Sequence, residues 1–171
     1  MARHRYAFNL QTIPTPLLAL SIVGCGRENR KGIQCAIEWM LTALLGKRLT
    51  ANIELRVQFL SELEGSVGDC EWIDNNIAPR KFLIRISQSQ SKRQQLITLA
   101  HELVHLKQFA TNQLFDYAIN SDLSRWQRRK IDSTKYAYRD LPWEQDAYTA
   151  QQFLFHAYRT WAKRQCAGVN I

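Results

Sequence analysis

Residues 98–109 read TLAHELVHLKQF, and they lie on a helix whose start is marked upstream. Ser91 and Gln94 stand three apart, the spacing of a capping box, in which two side chains satisfy the free N–H groups of a helix N-terminus. The helix then runs to about Phe109 or Ala110. At 3.6 residues per turn, His101 and His105 differ by about 40° around the axis, so both imidazoles reach one point. Glu102 flanks the same face, close enough to hold a water without ligating. Leu99, Leu103, Leu106 and Ala110 occupy the opposite face and give the helix an apolar back. Two neutral imidazoles at this spacing, with a Glu directly after the first, are the HExxH pattern. In it both rings bind Zn2+ and the Glu is the general base. The plainer alternative is a buried helix that happens to carry two histidines.

A catalytic zinc needs a third protein ligand and an open position. A metzincin would continue with a glycine and a histidine where this chain has Gln108 and Thr111, so that class is excluded. The downstream candidates are Glu144, His156 and an Asp from the connection at 112–141. Glu144 leads. It stands in the first turn of a helix opened by Pro142, and Ala147, three residues on, is small enough to let two helices approach. The helix dipole alone would also favour an acidic residue there. His156 lies about 120° away around that helix, and Asp146, about 200° away, is expected to point elsewhere. Gln108 suits either a role orienting a ligand or a solvated position.

The flanks predict an α+β chain. Residues 29–45 carry Ile33, Ile37, Met40, Leu41 and Leu44 at helical spacing, with Gly46 as a stop. Residues 52–60 alternate as a half-buried strand, with Ile53, Leu55, Val57 and Phe59 to one side. Glycines 65 and 68 mark 62–69 as a turn. Strands are expected at 70–73 and 81–87, together forming one small, mainly antiparallel sheet after the first helix. The polar connection at 112–141 is long for a structureless loop, so a short helix near 114–126 is expected. The last helix spans 142–165. The domain reading is an N-terminal segment 1–28, one domain 29–165 and a tail 166–171.

The order HELVH, then Glu144-x-x-Ala147, resembles the gluzincin-type zincins, and especially the small minigluzincin-like metallopeptidases of phages and bacteria. It is more distantly similar to the ImmA/IrrE-type peptidases. The likeness covers about residues 30–160: a helix, a small sheet, the HExxH helix and a Glu-bearing C-terminal helix. It implies a zincin-like fold and a zinc metalloendopeptidase acting on protein or peptide. His101, His105 and Glu144 would be the metal ligands and Glu102 the base. Tyr148, one turn after Glu144, is the favoured donor to the oxyanion, with Tyr138 and Arg139 as alternatives. The larger gluzincins carry an Asp four residues after the ligand Glu. Here that position is Tyr148, which leaves the partner of a ligand His unassigned. Strand 82–86 or 70–73 would pair with an extended substrate.

The 171 residues hold 23 Lys and Arg against 15 Asp and Glu, a formal charge of +8. That balance admits nucleic acid as an alternative partner. Its densest part is RWQRRK at 125–130, with Arg125, Arg128, Arg129 and Lys130 around Trp126. A solvated loop face is the plainer reading of that run, and a metal that only staples the fold is a third functional class. No apolar run is long enough to span a membrane. Cys25, Cys35, Cys70 and Cys166 form no CxxC pair and read as reduced. A cytoplasmic location is expected. The alternative is lipoprotein export, because Arg3 and Arg5 precede the apolar LLALSIV at 17–23, followed by Gly24 and Cys25. The segment before residue 29 could also cover the cleft.

Overall fold

The computed structural model describes residues 6–75, 77–117 and 122–167. In chain order these form β1 (Ala19–Val23), α1 (Arg27–Leu45), a single-turn α2 (Lys47–Thr50), β2 (Glu54–Leu60), β3 (Gly68–Trp72) and β4 (Lys81–Ser87). There follow α3 (Lys92–Ala110), the strands β5 (Leu114–Asp116), β6 (Leu123–Trp126) and β7 (Arg129–Asp132), and the long α4 (Pro142–Ala167). Two short 3-10 turns, Ser133–Lys135 and Tyr138–Asp140, lead into α4. The architecture is α+β.

The first sheet has the order β1-β2-β4-β3. It is mixed, not mainly antiparallel as expected: β1, β2 and β4 run parallel, and only β3 opposes β4. The expectation took consecutive strands as neighbours. Instead the chain leaves β2, forms β3 at the far edge and returns through β4 between them. Strand β1 adds a second parallel pair, because α1 carries the chain back across the sheet. The stretch that also reads as an export signal therefore supplies a strand bonded to β2. Arg3 and Arg5 lie outside the described residues. Strand 82–86 is interior, so it has no edge to offer an extended peptide; 70–72 does.

Period-2 patterning sets which face is buried. Leu55, Val57 and Phe59 of β2 stand in register with Phe82, Ile84 and Ile86 of β4, and all six are buried. They form the main core with Trp39 and Met40 of α1, Leu99, Leu103 and Leu106 of α3, and Ala147, Ala150 and Leu154 of α4. The opposite face is polar. There Arg85 binds Asp69 through Nε at 2.8 Å and reaches Glu71 through Nη2 at 3.1 Å.

The expected helix near 114–126 is absent. Residues 114–116 and 123–132 form a three-stranded antiparallel sheet, β5-β6-β7. Leu114 lies opposite Trp126 and Asp116 opposite Ser124, so one face collects these four side chains. Leu114 and Trp126 join Leu141 and Trp143 in a second, smaller core. Alternation over three or four residues is too brief to be told from helical spacing by pattern alone. The last helix, expected to end at 165, continues to Ala167, and residues 168–171 of the expected tail lie outside the described residues. No helix among the described residues is long and apolar enough to cross a membrane.

Candidate metal centre

Helix α3 begins where the capping spacing places it. The Ser91 hydroxyl accepts from the Gln94 N–H at 3.3 Å. The helix lays its apolar back on the sheet and turns His101, Glu102 and His105 toward a cleft of about 1120 Å3. All three are buried, as is Glu144 from the first turn of α4. Ala147 and Ala150 are fully buried where α4 meets the core, and small residues at a helix contact shorten the distance between axes. Glu144 is thereby carried onto the two imidazoles.

His101 Nε2 and His105 Nε2 are 3.0 Å apart. Glu144 Oε2 lies 3.3 Å from the first and Oε1 3.3 Å from the second. His156 is not in this group: it is exposed and packs edge-on against Phe155. Among the described residues, His101, His105 and Glu144 form the one His, Cys, Asp and Glu group arranged to hold a metal ion.

The other ring nitrogens each meet a glutamine amide oxygen. His105 Nδ1 is 2.9 Å from Gln108 Oε1. The Gln108 amide is oriented by its own nitrogen, which donates to the Trp143 carbonyl at 3.1 Å and to Asp146 Oδ2 at 3.0 Å. Its oxygen therefore faces the ring, and His105 Nδ1 must carry the hydrogen. His101 Nδ1 lies 2.8 Å from Gln151 Oε1, an acceptor for a hydrogen on that nitrogen. With both hydrogens on Nδ1, both Nε2 lone pairs point at one another and at a carboxylate. Four electron-rich atoms packed this closely repel unless a cation lies among them. Glu144 Oε2 is, moreover, buried with no hydrogen-bond donor. The spacings are close to the ~3.3 Å edge of a tetrahedron with ~2.0 Å metal–ligand arms. The donor set fits a metal ion.

Without a metal, a proton takes over part of that role. Burial opposes charge on His105, but the hydrogen bond to Glu144 and the charges of Glu102 and Glu144 outweigh it and raise its pKa to about 9. Burial pushes Glu144 upward too, yet the hydrogen bonds and charges of His101 and His105 bring it down to about 2.

No protein-family model, curated protein or solved structure matches the chain.

Glu102 stands beside the cluster, and burial lifts its pKa to about 7 against the pull of the two histidines. Gly68, the first residue of β3, leaves room for it. A Cβ there would press into Thr98 Cγ2 and lie 2.9 Å from Glu102 Oε1. The Tyr148 ring packs on His101, with centroids 4.8 Å apart, and Arg139 lies over the Tyr148 ring at 5.7 Å. Tyr138 is largely exposed and lines the cleft near the Glu144 carboxylate. Burial and that charge hold its pKa above the ordinary range, so the hydroxyl stays protonated.

Three parts of the site differ from the sequence expectation. Asp146 points inward to Gln108, not elsewhere. Gln151 was missed, although it lies seven residues after Glu144 and only about 20° from it around the helix. The basic run forms the β6–β7 hairpin, with Gln127 and Arg128 at positive φ in its turn. Arg125 lies over Phe115 and Lys130 over Tyr117. None of Arg125, Arg128, Arg129 and Lys130 lines the cleft, and neither does any residue from 6 to 18.

Proposed function

We propose that this chain is a zinc-dependent metallopeptidase of the zincin-like, HExxH-and-Glu kind. The convergence of two Nε2 lone pairs with the Glu144 carboxylate at 3.0–3.3 Å carries this reading. Both rings are fixed from behind, and a buried carboxyl group stands alongside. His101, His105 and Glu144 would hold the ion. Two imidazoles and one carboxylate suit zinc and leave a position open. When bound, the ion supplies Lewis-acid polarisation of a carbonyl and acidifies water.

The chain's own residues would do the rest. Glu102, with its pKa near 7, takes the proton of the attacking water and returns it to the departing amine. Tyr138, kept protonated, donates to the oxygen on which charge develops. Tyr148 packs on His101 and holds the ring in place. Strand β3 lies at the sheet edge and against α3, so it can pair with an extended peptide beside Glu102.

The test compares metal content and peptide hydrolysis in wild type, Glu102→Gln and His101→Ala. Glu102→Gln should keep about one zinc per chain and lose about 10²-fold or more in hydrolysis. His101→Ala should lose both. Full activity in Glu102→Gln, or wild type that binds no metal, would overturn the reading.

A further inference from the structure

We infer that Gln151 holds the bound peptide as well as His101: its amide oxygen faces the imidazole, and its amide nitrogen donates to a backbone carbonyl of the substrate. This rests on the metallopeptidase reading and adds a substrate-positioning residue to that site.

The two imidazoles are backed by the same residue type in two different settings. Gln108 is fully buried, and its nitrogen is taken up by the Trp143 carbonyl at 3.1 Å and Asp146 Oδ2 at 3.0 Å. Gln151 is half-buried and lines the cleft. Its oxygen lies 2.8 Å from His101 Nδ1, and its nitrogen meets no acceptor among the described residues. A side-chain amide carries two N–H donors on that nitrogen. An orienting role alone accounts for Gln108, where the protein supplies partners for both N–H groups. It leaves the Gln151 nitrogen unexplained.

The position suits a peptide backbone. Glu144, Tyr148 and Gln151 fall within about 60° around α4 and line the cleft together. Strands β3 and helix α4 meet different sides of α3. Gly68 of β3 faces Thr98 and Glu102, whereas α4 reaches His101, His105 and Gln108. The carbonyls of an extended peptide point alternately to its two edges. Pairing with β3 satisfies one edge, and the carbonyls of the other edge then face α4 and need a donor. On that wall Glu144 offers only acceptors, and Gln151 supplies the amide N–H groups. A neutral amide reads the backbone and not the side chain, so this contact fits an extended peptide of any sequence at that position.

The experiment uses a blocked hepta-alanine peptide. Binding is measured to the zinc-loaded Glu102→Gln chain, alone and with Gln151→Glu or Gln151→Leu added, and cleavage with the zinc-loaded wild type. Gln151→Glu keeps an acceptor for His101 and removes the donor. It should retain about one zinc per chain and bind the peptide about fivefold or more weakly, the scale of one lost hydrogen bond. Gln151→Leu should lose zinc affinity as well. A second measurement replaces each peptide carbonyl oxygen in turn by sulfur, a weaker acceptor. One position should lose about threefold in binding with Gln151 present, and nothing further in either variant at saturating zinc. Unchanged peptide affinity in zinc-loaded Gln151→Glu, a sulfur series in which no loss depends on Gln151, or no binding of the parent peptide at millimolar concentration would overturn the inference. Cleavage by wild type with unchanged binding in Gln151→Glu would remove the contact and leave the peptidase. Gln151-dependent binding without any cleavage would leave the contact and remove the peptidase.

Discussion

Gln108 and Gln151 hold the two imidazoles by amide oxygens, where a carboxylate often holds a metal-ligating histidine. A neutral acceptor fixes the tautomer without adding charge to a site that already contains Glu102 and Glu144. Gln108→Leu should therefore lower zinc affinity about 10- to 100-fold while leaving the fold intact, read by competition with a chelator and by circular dichroism. A proton count offers a second check. At pH 7 His105, with its pKa near 9, is protonated in the metal-free chain, and a ligand imidazole must be neutral. Zinc binding should then release about one proton from it, and apparent affinity should rise about tenfold per pH unit until the pH passes about 9. Calorimetry in buffers of different ionisation heat measures the release, and zero release at pH 7 would contradict it. The grouping of His101, His105, Glu102 and Glu144 was legible because each lies on a helix at a readable angle. Asp146 was not. Its angle from Glu144 was estimated correctly, but Gln108 reaches across from α3 to meet it, and a wheel drawn for one helix contains no second helix.

Elements tell a similar story about local and non-local information. Helix α3 was legible almost to the residue, because Ser91, the leucine stripe and the histidine spacing all act within it. The strands β2 and β4 were legible from alternation, but their parallel pairing was not. Nothing local in either strand records that β3 lies beyond β4. The second sheet escaped for another reason: its strands are three or four residues long and owe their burial to Trp143 and Leu141, far along the chain. Gly68 couples the first sheet to α3. A methyl group there meets Thr98, whose branched side chain cannot easily rotate away, and the buried Glu102. Gly68→Ala should cost about 1–3 kcal/mol in urea unfolding, as overpacking does. It should also lower kcat with zinc still bound, because Glu102 is the group displaced. Unchanged stability and kcat would show that β3 gives way instead.

At the scale of the molecule, the metal centre lies over a main core that draws on β1, β2, β4 and α1 as well as the two ligand-bearing helices. That core is apolar and includes none of His101, His105 and Glu144. Removing zinc with a chelator should lower the melting temperature yet preserve the far-ultraviolet spectrum. Returning zinc to 100 times its Kd should restore about 2.7 kcal/mol by mass action. Collapse to an unfolded spectrum on chelation would instead make the ion a structural staple. The smaller core of Leu114, Trp126, Leu141 and Trp143 meets the larger one at Phe109, which packs against both. The cleft is lined by residues of β3 and α3 and also by residues of the β5–β7 sheet. Such a lining lets heredity edit the two apart: drift in the β5–β7 sheet would reshape one part of the cleft wall while His101, His105 and Glu144 keep their arrangement.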